Sequence, residues 1–377
     1  MRRSVIITGI LLIIVMVVGF AELMAYIKAQ HLLKYGIGFT PLHHKESYES
    51  YVGRHDPQLG WRCPDNQVDR VGSRIIPAFS DPEKNPTCVS LYGESFTEGY
   101  GVDHEHAWSN VLSQLLDCRV ANFGVAGYGT DQAYLRYLGN QQDRAPVVIL
   151  GYLSENLQRN VNQLRNLLCP VFALQLKPRF ILDEQGQLTL VPLPQITKEQ
   201  FEDLRTHPER VLTQEFFLPG GPSGYQRPGF PYLWKFIRAF PIIYQNLVLH
   251  QAYYYELYRP GHPSQALEVT LAIMEEFCRQ ARQRDQHPLV LVIPTRTDVV
   301  NYLKTGTWVY QPLIERMKER NLEFIDARPG IMENGATALY DPKSQYHLSE
   351  QGNRVLARMV YDYLIRNNLT GWTFLAN

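Results

Sequence analysis

Cys88-Val89-Ser90-Leu91-Tyr92 runs directly into Gly93-Glu94-Ser95-Phe96-Thr97-Glu98-Gly99. The first five residues read as a short buried strand, and the glycine after them marks a tight turn. A serine between a strand and a helix stands at the helix N-terminus, where backbone N–H groups and the helix dipole favour negative charge. On these residues alone Ser95 is either a nucleophile or a helix N-cap.

The same alternation continues outward from this stretch. Glu105–Leu116 reads as a helix, Arg119–Phe123 as a strand, and Thr130–Leu138 as a helix with Thr130 as its cap. Pro146–Leu150 is a third strand. Ala266–Arg284, Pro288–Ile293, Gln311–Arg320, Leu322–Ile325 and Glu350–Ile365 then repeat helix, strand, helix, strand and helix. Strands of four to six mostly apolar residues are covered on both faces, so the fold class is α/β, a three-layer α/β/α sandwich around a central parallel sheet. Sites in such sheets lie beyond the C-terminal strand ends. Ser95, Gly127 and Glu155-Asn156 each follow a strand end, and His347 follows the last strand by a loop.

Residues 165–263 break the pattern with Pro170, Pro178, Pro192, Pro194 and Pro219-Gly220-Gly221-Pro222. They read as one insertion, containing a hairpin around Asp183–Gly186. It either walls a substrate groove or only braces the fold. Before the sheet, residues 28–86 read as a stalk and N-terminal extension, and Trp61 implies that part of it packs on the main body. The expected division is therefore 1–27, 28–86, 87–164, 165–263 and 264–377.

The first segment carries Arg2 and Arg3, then an uncharged apolar run from Ser4 to Ala21, interrupted by Glu22 and continued by Leu23–Ile27. Its length approaches that of a membrane span, so an uncleaved single-pass transmembrane helix is expected. A cleaved signal peptide and a buried helix are the alternatives. The two arginines would stay cytoplasmic, leaving the main domain extracytoplasmic, periplasmic or extracellular.

Lys+Arg and Asp+Glu both number 37, so the chain lacks the basic field of a nucleic-acid binder. No cysteine pair has metal-site spacing, and His43-His44 and Asp103-His104-Glu105-His106 read as solvated loops; neither metal nor cofactor is expected. Of the five cysteines, Cys88 and Cys118 read as buried thiols, and Cys63 and Cys169 as a candidate disulfide.

Serine needs a base and oxyanion donors to act as a nucleophile. His347, in Tyr346-His347-Leu348-Ser349-Glu350-Gln351-Gly352, is a base of suitable pKa or a surface histidine. The loop Asn122-Phe123-Gly124-Val125-Ala126-Gly127 can aim an N–H into a site or simply turn the chain. Asn156 can donate to an oxyanion or cap a turn.

Taken together these blocks resemble the SGNH (GDSL-like) hydrolase superfamily, whose sheet is flavodoxin-like. The resemblance covers about 87–160 and 285–365. It implies Ser95 as nucleophile, His347 as base, and the N–H groups of Ser95 and Gly127 as oxyanion donors. Glu94 stands where the family has Asp, and Glu155 where it has the oxyanion Asn, with Asn156 one residue on. The family's orienting Asp would fall at Ser344; Asp341, six residues before His347, is the candidate acid, with a Ser–His dyad as the other arrangement. The expectation is a serine ester hydrolase acting on an acylated small molecule or cell-envelope polysaccharide. O-acyl transfer to an exopolysaccharide and a catalytically degenerate assembly protein are the alternatives.

Overall fold

The computed structural model describes residues 2–41, 45–169, 171, 173–344 and 346–371, so the His43-His44 pair lies outside it. The chain divides into two compact units. One comprises Met1–Arg54, Asn162–Leu176 and Pro194–Tyr253; the other comprises His55–Val161, Lys177–Leu193 and Tyr254–Asn377.

The second unit holds the sheet. Its strands are β1 (Thr87–Tyr92), β2 (Arg119–Asn122), β3 (Val147–Leu153), β6 (His287–Ile293) and β7 (Phe324–Asp326), all parallel in the order β2-β1-β3-β6-β7. A separate antiparallel hairpin joins β4 (Arg179–Leu182) to β5 (Leu188–Val191). The five-stranded order is that of doubly wound flavodoxin-like sheets, in which ligands bind beyond the strand C-termini where the winding direction reverses, here between β1 and β3.

Alternation along the strands builds the layers. Val89, Leu91, Val120, Ile149, Leu289 and Leu291 share one buried cluster with Trp108 and Leu112 of the helix Trp108–Leu116 and with Leu356 and Val360 of the helix Glu350–Arg366. On β1 the intervening Tyr92 stacks on Phe123 at 5.0 Å and meets the edge of Tyr137 at 5.3 Å, and Tyr137 packs on Phe277 of the long helix Ala266–Gln283. Each buried aliphatic side chain contributes about 1.5–3 kcal/mol, so this two-sided burial is what holds the sheet.

Several sequence expectations shift. The helix expected over Glu105–Leu116 starts at Trp108, after a separate 3-10 turn at His104–His106. Thr130 is the first helical residue rather than the cap; Gly129 takes the cap position, its N–H donating to Gln132 Oε1. The helix Arg296–Thr305 carries no strong periodic signal and starts at a capping box between Thr295 and Asp298. Tyr232–Leu247 forms a helix although Pro241 lies inside it. Residues 55–86 and 177–193 belong to the α/β unit, whereas 28–54 group with 162–176 and 194–253. Trp61 shows why: its ring lies 5.6 Å from Tyr128, its indole N–H donates to Ala126 O, and Tyr128 OH donates to Trp61 O.

The cysteine expectation is corrected. Cys88 and Cys118 form a disulfide, while Cys63, Cys169 and Cys278 are thiols. The edge pairing of β1 with β2 brings Cys88 and Cys118 to a Cα separation of 6.1 Å, within the usual bridging range.

The apolar N-terminus is one helix, Arg2–Lys34, of which Val5–Lys34 is long and apolar enough to cross a membrane, its most apolar window having a mean hydropathy of 2.7. None of its most apolar window is buried in protein, which disposes of the buried-helix alternative.

Candidate active site

Ser95 opens the short helix Ser95–Glu98 directly after β1, so its N–H has no intrahelical acceptor. Glu94 caps this helix, its Oε2 accepting from Phe96 N at 2.8 Å. Burial pushes the Glu94 carboxyl above the usual range, against the pull of Arg159. The helix sits tightly on the strand ends. A methyl group at Gly93 or at Gly151 would overlap Thr97 Oγ1, so both positions require glycine for this close approach.

The C-terminal end of the helix is held by groups remote in sequence. Arg74 donates through Nη1 to Glu98 O at 2.8 Å and Gly99 O at 2.9 Å, and through Nη2 to Val102 O at 2.7 Å. Trp108 Nε1 donates to Phe96 O and Thr97 O. Asn122 Nδ2 donates to Thr97 O at 2.8 Å, while its Oδ1 accepts from Gly124 N at 2.9 Å, tying the helix to the glycine loop.

His347 Nε2 lies 3.0 Å from Ser95 Oγ, across 252 residues of sequence. This is hydrogen-bonding range for a nucleophile and its base. The histidine loop is a small antiparallel bridge between Tyr340 and Leu348, closed by Asp341 N donating to His347 O at 2.8 Å. Ser349 caps the following helix by accepting from Gly352 N. Three rings bracket the imidazole, with centroids of Phe96, Tyr100 and Tyr346 at 5.4, 5.0 and 4.8 Å.

The Asp341 carboxylate accepts from Ser344 N at 2.7 Å and Lys343 N at 3.3 Å, and these turn bonds hold its pKa below the usual value. Its link to His347 is through the backbone. Gly127 adopts a φ of +87°, a conformation glycine takes without strain, in the loop after β2. Val125 N, in the same loop, donates to Gly93 O at 3.0 Å.

Asn156 follows β3 as the first residue of the short helix Asn156–Asn160 and is 0% exposed. Neither its Nδ2 nor its Oδ1 has a hydrogen-bond partner among the described residues. Buried amides are rarely left so, and an unspent donor fits a group that waits for a ligand oxygen. Glu155 is turned aside into an ion pair with Arg159, whose Nη1 donates to Tyr128 O at 2.8 Å.

Arg74, Trp108 and Arg159 escaped sequence reasoning as site supports. Each acts on backbone carbonyls of a distant segment, which no local spacing records.

No family model and no curated protein sequence matches the chain. Similar solved structures include a member of the lipolytic protein G-D-S-L family from Veillonella parvula DSM 2008, at 10% identity and TM-score 0.36, covering 74% of this chain and 98% of that one. A psychrotrophic esterase from Pseudoalteromonas sp. is 9% identical at TM-score 0.35, covering 74% and 97%. An acetyl xylan esterase from the rumen bacterium Butyrivibrio proteoclasticus is 11% identical at TM-score 0.33, covering 76% and 65%. What this chain is similar to is therefore a set of GDSL-type lipolytic proteins and esterases.

Proposed function

We propose that the protein is a serine ester hydrolase of the cell envelope, with Ser95 as nucleophile and His347 as general base. The observation that carries this reading is the 3.0 Å contact between His347 Nε2 and Ser95 Oγ at the C-terminal edge of a parallel sheet. His347 takes the Ser95 proton as Oγ attacks the ester carbonyl. The Ser95 and Gly127 N–H groups and Asn156 Nδ2 receive the oxyanion. The tetrahedral adduct expels the alcohol, which takes the proton from His347. Water, deprotonated in turn by His347, then releases the acid and restores Ser95. The substrate is an acylated envelope polysaccharide. An apolar N-terminal helix and the Cys88–Cys118 disulfide support an oxidising, extracytoplasmic location.

The test is fluorophosphonate labelling of the full chain in detergent beside its Ser95→Ala variant, followed by product analysis on acetylated glycan. Labelling that requires Ser95, with release of free acetate, is expected. An unlabelled wild-type chain beside a labelled control enzyme would end the nucleophile assignment. Acetate appearing on an added glycan acceptor instead of in solution would replace hydrolysis by acyl transfer.

A further inference from the structure

The helix Tyr232–Leu247 is apolar on two sides. One side, through Ala239 and Ile243, packs with Ala29, Leu32, Leu33 and Phe39 in a buried cluster. The other faces outward and is also apolar: Trp234 is 59% exposed, Ile237 54% and Phe240 51%, with Phe230 just before the helix at 79%. A stripe at positions 234, 237 and 240 follows helical spacing and is a poor surface to leave in water.

The start of this helix is bonded to the apolar N-terminal helix. Glu22 Oε2 accepts from Tyr232 N at 2.8 Å and Leu233 N at 3.2 Å, and the Tyr26 and Tyr232 rings meet edge-on at 5.0 Å. Contacts thus run from Glu22 against Tyr232 to Leu33 and its neighbours against Ile243, so the two helices lie side by side in the same direction. This accounts for a carboxylate that otherwise interrupts an apolar run.

The depth follows from the rise per residue. Ser4 to Ala21 is 18 uncharged residues, about 27 Å of helix, close to the ~30 Å hydrocarbon core. Glu22 then falls at the outer edge of the core. The headgroup layer adds several ångströms beyond it, and the first turns of Tyr232–Leu247 fall within that layer. The N-terminal helix itself leaves Leu23 53% and Ile27 49% exposed at the same level, so both helices present apolar side chains outward there. Tyr232–Leu247 contains Lys235 and Arg238 and no Asp or Glu. Aromatic side chains with cations and no acids suit the membrane–water interface.

We infer that Phe230, Trp234 and Ile237 insert into the interfacial layer of the same bilayer that the N-terminal helix crosses, so that the protein holds the membrane by two elements. This rests on the membrane reading of the N-terminal helix, and the experiment separates the two. The full chain, with Cys169→Ser to remove the thiol that is not buried, is spin-labelled through Trp234→Cys and reconstituted in phosphatidylcholine–phosphatidylglycerol vesicles. Val15→Cys reports the span and Leu303→Cys reports solvent. The readout is collision with oxygen relative to a water-soluble nickel chelate. Trp234→Cys is expected several-fold above Leu303→Cys and on the side of Val15→Cys. A Trp234→Cys ratio equal to that of Leu303→Cys overturns the inference, and a lipid-like Val15→Cys beside it leaves the span standing. A lipid-like Trp234→Cys with a water-exposed Val15→Cys removes the span and overturns the attachment by two elements.

Discussion

Arg74→Met should loosen the helix Ser95–Glu98 without touching Ser95 Oγ or His347. Arg74 is buried, and its guanidinium serves Glu98 O, Gly99 O and Val102 O. Methionine keeps the apolar stem and removes every donor. At about 1–2 kcal/mol for each of the three acceptors left without a charged donor, the local cost is about 3–6 kcal/mol. A tenfold change per 1.4 kcal/mol makes this about 10²- to 10⁴-fold in local opening. Amide exchange followed by mass spectrometry reads it directly, because Gly99 N and Tyr100 N donate to Phe96 O and Ser95 O within this turn. Peptides covering residues 95–102 should exchange that much faster, while Val147–Leu153 in β3 should not change. The deficit also depends on pH. Burial raises the Glu98 pKa and Arg74 opposes it, so the variant raises it further. A carboxyl with a raised folded pKa favours the fold below its unfolded pKa and loses that contribution as pH rises through the folded value. The deficit should therefore be larger at pH 8 than at pH 5. Acceleration below tenfold, or a deficit that shrinks on going to pH 8, would refute this account of how the serine is held.

Other outcomes follow from the same geometry. His347→Ala should lower kcat/KM for an activated ester by at least about 10³-fold while leaving the thermal transition nearly unchanged. Asp341→Asn should cost less than about tenfold in kcat, because the carboxylate serves the turn amides of Lys343 and Ser344; a loss near 10⁴-fold would instead mark it as the group that orients the imidazole. Reducing the Cys88–Cys118 bridge, which spans 30 residues, should destabilise the α/β unit by about 3–4 kcal/mol. The Cys88→Ala/Cys118→Ala variant should show the same loss with no further response to reductant, read as the denaturation midpoint.

Much of this was legible in the chain. Apolar runs at 88–92, 119–123, 146–150, 288–293 and 322–325 mark the strands, because a strand buried on both faces needs little but apolar side chains. Their alternation with helical periodicity implies the parallel sheet, and the chain order of Ser95, Gly127, Asn156 and His347 at strand ends implies one edge. The helix Tyr232–Leu247 was obscured by Pro241 and by an apolar outer face that blurs the usual period. The disulfide was misread because Cys88 and Cys118 both sit in apolar strand contexts, and only strand pairing says which sulfurs are neighbours.

Local chemistry, then, was sufficient to place a serine at a turn after a strand and a histidine before a helix, since turn glycines, caps and periodicity act over a few residues. Tertiary structure decided that Ser95 Oγ and His347 Nε2 lie 3.0 Å apart, that Glu155 turns to Arg159, and that Arg74 from the extension holds the helix Ser95–Glu98. Those contacts join segments far apart in the chain. They form because the sheet buries its strands in one order and leaves their C-terminal ends side by side.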